Sequence, residues 1–229
     1  MARTIDVIDS FALLESYGIT VARSAYVDSV ENAIVFANRR PISMYALRPD
    51  GHGYDLSNGH VGVDDDDGIR KAYHALTAKA GPRVFVQADV GPGTGIRLAG
   101  DQHDGEKHIR LLSGSHEVDR ICPLSEDLAE GMLQGLRSSK SLASSGQALR
   151  RLAHLFVKAS KMYEESGIED FVLWIRVRDN GYKVVDARMT AERIPEIAHR
   201  LGKHAHDRWS YDYHPAGRPS LEPHTRNRK

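Results

Sequence analysis

Two apolar runs late in the chain, Phe171 to Val177 and Tyr182 to Ala187, are separated only by Arg178-Asp179-Asn180-Gly181. Asn-Gly is a strong signal for a tight turn, because its two central positions accept the positive φ that a two-residue hairpin demands. The pattern predicts an antiparallel hairpin, so at least one sheet of the fold is assembled here, and the earlier segments must pair with it or cover it.

Those earlier segments mix periods. Ile5 to Tyr17 carries a helical apolar stripe and ends at Gly18, and Ile19 to Ala22 is a short extended piece. Asp28 or Ser29 caps a helix through Val30 to Ala37, Pro41 stops it, and Ile42 to Leu47 reads as a strand. Arg48 to Gly62, rich in Gly, Asp, Asn and His, is expected to be a loop with at most a short hairpin. Asp64 to Asp67 cap a helix over Ile69 to Ala80, which Gly81-Pro82 ends. Strands are expected at Arg83 to Val90, Gly95 to Ala99, Lys107 to Leu112 and Val118 to Cys122, then helices at Leu124 to Leu136 and Ala148 to Ser166. A closing helix is expected over Ala191 to Leu201, followed from Lys203 by a polar, flexible tail. The fold class is α+β in two lobes, with residues 1–88 as the first, 89–202 as the second and 203–229 as the tail.

Composition bounds the function. The 229 residues hold 31 Lys+Arg against 31 Asp+Glu, and a chain without net charge lacks the basic field of a nucleic-acid binder. No run approaches the ~20 apolar residues that a membrane span requires. A single cysteine, Cys122, rules out a disulfide framework and a Cys-rich zinc site, so a cytoplasmic location is expected.

Several stretches then point to one family. Leu13-Leu14-Glu15-Ser16-Tyr17-Gly18-Ile19 resembles the opening of the ATP-grasp domain of NDP-forming acyl-CoA synthetases. Ser29-Val30-Glu31-Asn32-Ala33 to Ala37, then Pro41 to Asp50, is similar to that family's "SxEEAxxFA…YPVVLKxxSPD" run. Val84-Phe85-Val86-Gln87 resembles its "VLVQ" hinge strand, and Val184-Val185-Asp186-Ala187-Arg188-Met189 its closing "LDARI" strand. The resemblance runs from Ile5 to Met189 in the same order. It implies a two-lobed ATP-grasp-like fold that holds ATP or ADP with Mg²⁺ between the lobes, beside a CoA-binding α-like partner subunit.

Position by position, the resemblance also implies losses. The family's phosphate-binding Lys falls at Tyr45, and the Asn of its "DINP" metal motif falls at Leu173, with Phe171 for the preceding acid. Tyr45 has no charge to neutralise a phosphate, and Leu173 cannot ligate a cation. The Glu of its "GxELxxG" run falls at Gly95. Asp186 is kept as a metal carboxylate, and Val86 and Gln87 as hinge positions beside the adenine. His60 or His52 is the counterpart of the family's phosphate-accepting His, in a loop of different length. Two functional classes follow. One is a non-catalytic binding or regulatory descendant with no cofactor. The other is a working ADP-forming acid–CoA ligase with a rebuilt site, in which Arg48, Lys71, His60 or Arg97 supplies the cation and Glu169 or Asp170 the second metal oxygen.

Other motifs carry less. Gly91-Pro92-Gly93-Thr94-Gly95 precedes an extended segment, whereas a phosphate-cradling loop opens a helix. The Asp64–Asp67 run reads as a helix N-terminus in preference to a calcium loop, and Ser113-Gly114-Ser115-His116-Glu117 is no triad by adjacency. His103 to His108, with Asp101 nearby, mixes metal-type ligands without fixing a geometry. The aromatic and basic tail from Lys203 suits an arm that docks on a partner or on a second copy.

Overall fold

The computed structural model describes residues 2–48, 54–138, 146–179 and 181–192. Their elements are β1 (Arg3–Thr4), α1 (Val7–Ser16), β2 (Ser24–Val27), α2 (Val30–Ala37), β3 (Ile42–Leu47), β4 (Tyr54–Val63), α3 (Asp66–Ala80), β5 (Val84–Ala88), β6 (Thr94–His103), β7 (Glu106–Ser113), β8 (His116–Ile121), α4 (Glu126–Ser138), α5 (Gly146–Glu165), β9 (Ile168–Arg178) and β10 (Gly181–Ala191). Local chemistry sets the helix starts. Asp6 accepts the Ile8 N–H at 2.8 Å, Ser29 Oγ accepts Asn32 N–H at 3.2 Å, and Asp65 accepts Gly68 N–H at 2.5 Å. Each satisfies an amide that the helix itself cannot pair. Gly18, at φ +70°, turns the chain out of α1 in a conformation that side chains resist.

The strands form two antiparallel sheets, β2-β5-β3-β4 and β1-β10-β9-β6-β7-β8. On the smaller, Ile42, Met44 and Ala46 of β3 and Val84 and Val86 of β5 pack with Ala33 and Phe36 of α2 and Ile69, Ala72 and Leu76 of α3. On the larger, Phe171, Leu173, Ile175 and Val177 of β9 point with Ile96, Leu98, Ile109 and Leu111 into a core closed by α5, whose Leu152, Phe156, Ala159 and Tyr163 recur at helical spacing. β1 pairs with β10, and α1 contributes Phe11, Leu13 and Leu14 to this larger core. β1 and α1 thus sit with the large sheet.

Two expectations on the elements are corrected. Tyr54 to Val63, read as loop, is a strand paired with β3, because pairing and the buried Tyr54 outweigh its poor strand formers. Ala191, expected to open a helix, is the last residue of β10 and pairs with Ile168; from residue 193 on, that segment and the tail lie outside the described residues. The hairpin itself forms as expected, with one addition. Val184 pairs with Ile175 but Asp186 pairs with Trp174, so Val185 is the extra residue of a β-bulge. Among the described residues no helix is long and apolar enough to cross a membrane.

Candidate functional site

Strand alternation gives each sheet a second face, and the two second faces meet. On the small sheet that face carries Tyr45 and Leu47 of β3 and Phe85 and Gln87 of β5; on the large sheet it carries Trp174, Arg176 and Asp186. The space beside Asp186 is filled by rings. Tyr54 stacks on Phe85 with centroids 4.1 Å apart and planes 6° from parallel, Tyr45 lies 5.0 Å from Tyr54, and Tyr26 meets Phe85 edge-on at 5.7 Å. Tyr45, Tyr54 and Phe85 belong to the core of the large lobe although their strands belong to the small sheet.

Polar contacts converge on the bulge. Displaced from the regular ladder, the Val185 carbonyl accepts the Tyr54 hydroxyl at 3.0 Å and Gln87 Nε2 at 2.8 Å. Gln87 Nε2 also donates to Ser24 Oγ at 3.0 Å, and the Tyr26 hydroxyl donates to Asp6 Oδ2 at 2.8 Å, tying β2 to the start of α1. The half-buried Asp186 accepts the Ala187 N–H at 2.9 Å. Burial raises the pKa of its carboxyl, opposed by the Ala187 amide, Arg48, the Tyr54 hydroxyl and Arg188. Burial and the Asp186 charge also push the Tyr54 hydroxyl above its ordinary range.

The residues expected at a nucleotide site are only partly gathered. Asp186 and Tyr45 do face the space between the sheets, and Arg48 acts on Asp186. Leu173, expected in the first metal position, is fully buried on the helix-covered side and pairs with Ala187; the neighbour of Asp186 across the strands is Trp174, because Val185 is bulged out of the ladder. Glu169 lies five residues before Trp174, roughly 16 Å along β9, so it is not brought to Asp186. Val86 is buried among α2 and α3 on the other side of the small sheet. Both edges of β5 at Val86 and Gln87 are paired, with Ala25 and Ser24 on one side and Met44 and Ser43 on the other. Their backbone is therefore committed to the ladder, and Gln87 acts as a stitch between lobes. His60 is exposed on β4 opposite Met44, and His52 lies outside the described residues.

Missed in the sequence were Tyr54, hidden in a glycine-rich segment, and Trp174. The alternation of Phe171, Leu173, Ile175 and Val177 already carried the signal for Trp174, since it sends the residues between them to the opposite face. Along that face, Arg97 pairs with Trp174 and Gly95 with Arg176, and together with Leu112, Gly114 and Val185 they line a groove of about 340 Å³. Further out, Asp101 is bridged to Arg110, which also reaches Glu117 at 3.5 Å, and His108 lies 3.1 Å from Asp119. No cluster of three His, Cys, Asp or Glu suited to a metal occurs among the described residues. The Asp64–Asp67 run is the N-terminus of α3, and Gly91–Gly95 leads into a strand.

Two facing antiparallel sheets, each backed by helices, with a closing hairpin that carries Asp186, define an ATP-grasp-type α+β fold. Solved structures agree. The dinucleotide forming acetyl-coenzyme A synthetase 1 of Ca. Korarchaeum cryptofilum, in complex with coenzyme A, Ca-AMPCP and HgCl+, superposes with a TM-score of 0.73 at 20% identity, covering 83% of this chain and 94% of that one. A protein from Pyrococcus horikoshii Ot3 gives 0.69 at 15% identity, covering 81% and 90%. ATP citrate lyase from Methanothrix soehngenii, in complex with citrate and coenzyme A, gives 0.56 at 12% identity, covering 90% of this chain and 54% of that one. At these identities the likeness is one of fold. No protein-family model matches the chain, and no curated protein matches its sequence.

Proposed function

We propose that this chain is an ATP-grasp-fold protein that has given up Mg–ATP chemistry and serves as a binding or regulatory subunit. One observation carries the reading: the stacked pair of Tyr54 and Phe85, with Tyr45 tilted against it, lies between the sheets beside Asp186, whose cross-strand neighbour is Trp174. Phosphoryl activation needs cations on the phosphates and Mg²⁺ held by carboxylate or amide oxygens. An indole ligates no Mg²⁺, and Tyr45 brings no charge. What ATP and Mg²⁺ would supply is charge neutralisation and an activated phosphoryl group; among the described residues beside the rings, Asp186 is the carboxylate that would offer the metal an oxygen. Because the acetyl-coenzyme A synthetase of the same fold is solved with coenzyme A, a CoA-binding α-like subunit is the partner we assign, in the cytoplasm.

The competing reading, an active acid–CoA ligase with a rebuilt site, draws on Arg48, whose charge does reach Asp186. An arginine there competes with a metal for the same carboxylate, however, and supports the structural role. Calorimetry with ATP, ADP and GTP, each with and without Mg²⁺, separates the two. We expect no Mg²⁺-dependent stabilisation. A nucleotide present at 100 times its dissociation constant would stabilise the fold by about 2.7 kcal/mol, and such a shift appearing only with Mg²⁺ would overturn the proposal.

A further inference from the structure

The groove on the face of the large sheet that carries Trp174 and Arg176 is built by an absence at Gly95. A Cβ placed there would meet no atom within 4 Å, and the space it leaves is flanked by Arg97, two residues along β6, and by Arg176, directly across on β9. The two arginines are diagonal neighbours on one face, roughly 7 Å apart at their Cβ atoms. Arg176 is aimed by one bond, Nη1 to the Gly93 carbonyl at 2.9 Å, which leaves its other donors for the groove. Arg97 is exposed and has no hydrogen-bond or ion-pair partner among the described residues. The cationic charges that oppose the raised pKa of Asp186 are those of Arg48 and Arg188. Trp174, Leu112 and Val185 line the same groove.

We infer that this groove is a metal-independent binding site for a small flat anion, a ring carrying one phosphate or one carboxylate. The inference rests on the reading that Mg–ATP chemistry is lost, and it names the ligand class that the remodelled face would take. Like charges held together on one face repel, so an anion between Arg97 and Arg176 removes that cost and gains charge-assisted, forked hydrogen bonds. The indole of Trp174 offers the flat apolar surface on which a ring stacks, with Leu112 and Val185 at its edges. The volume, about 340 Å³, is at the small end of ligand pockets, which suits one ring and one anionic group better than a triphosphate. The arginines supply the compensating charge that Mg²⁺ would otherwise bring.

The test is titration of the full chain in EDTA with adenosine monophosphate and with benzoate, against adenosine and inorganic phosphate as controls, read by calorimetry and by quenching of tryptophan fluorescence. At least one ring-bearing anion should bind without metal, and adenosine or phosphate alone should bind roughly tenfold more weakly or worse. Arg97→Ala and Arg176→Ala should each weaken binding by about tenfold. Gly95→Leu should abolish it with an unchanged melting temperature, since the side chain enters open space, and Trp174→Phe should remove most of the quenching. No binding by either probe while Mg–ATP is also inert overturns this inference and leaves the proposed function standing. Binding that requires Mg²⁺ overturns both. Unchanged affinity in Gly95→Leu places the ligand elsewhere and overturns the inference.

Discussion

At Asp186 the folded chain holds a carboxyl that is easier to protonate than the same group in the unfolded chain, since burial raises its pKa above the ordinary value of 3.8. The folded state then binds more protons than the unfolded state over the window just above that value. The stabilisation this represents is complete below pH 3.8 and is lost as the pH rises through the folded-state pKa. Asp186→Asn keeps an oxygen for the Ala187 amide and removes the buried charge. It should therefore be more stable than the parent chain at pH 7, and the margin should shrink as the pH is lowered toward 3.8, measured by urea unfolding at each pH. A variant equally or less stable at pH 7 would show that Arg48, Arg188 and the Tyr54 hydroxyl fully compensate the carboxylate. Gly59 is the second residue on which the site depends. A Cβ there would fall 2.3 Å from two ring carbons of Tyr45, which pairs across from it. Gly59→Ala should cost about 1–3 kcal/mol by forcing Tyr45 off the cluster. In a Tyr45→Ala background the same change should cost much less, and equal costs in both backgrounds would remove Tyr45 from the explanation.

Between elements, the segment joining β5 to β6 is fixed to β9 and to the start of β3. Arg178 Nη1 donates to the Val90 carbonyl at 2.9 Å, Arg176 Nη1 to the Gly93 carbonyl at 2.9 Å, and the Asp89 N–H bonds the Pro41 carbonyl at 3.0 Å. At Gly93 the backbone passes so near β9 that a Cβ would lie 2.4 Å from the Val177 carbonyl oxygen. Gly93→Ala should cost about 1–3 kcal/mol, whereas Gly95→Ala, two residues on and facing open space, should change stability by less than about 0.5 kcal/mol. Thermal unfolding of both variants checks the contrast. How far such elements are legible in the sequence follows from what defines them. Ile42–Leu47, Val30–Ala37 and the closing hairpin were readable because an alternating or helical stripe and a nearby cap or turn agree. β4 was not, since its Asp, Asn and Gly residues are strand formers only by virtue of their partner β3. The site followed the same rule. Asp186 and Tyr45 were singled out through motif positions and lie on the face between the sheets, but Trp174 was passed over because the bulge at Val185 changes the register, and Leu173 was counted in its place. Tyr54 entered from a segment whose composition spoke for a loop.

For the whole molecule, the consequence is that the two lobes are joined through a common apolar core. The small sheet has its own helix-covered core, which on its own would let that lobe unfold separately. Yet Phe85, fully buried, packs on Tyr54 and Tyr26 and belongs with Leu14, Phe156 and Val184 in the core of the large lobe, and both Tyr54 and Gln87 end on the Val185 carbonyl. Separating the lobes would expose those rings and leave the bulge carbonyl without its two donors. An enzyme that must admit and release nucleotide between its lobes needs them to part at little cost; a binding subunit whose ligand enters an open groove on one sheet does not. The chain should therefore unfold in one transition, with calorimetric and van't Hoff enthalpies equal. Phe85→Ala should lower stability by about 3–5 kcal/mol, a large share of what a domain possesses, and should split the transition in two as the small lobe melts on its own. Two transitions already present in the parent chain would mean that the aromatic cluster does not couple the lobes, and that the space between the sheets opens as readily as nucleotide exchange requires.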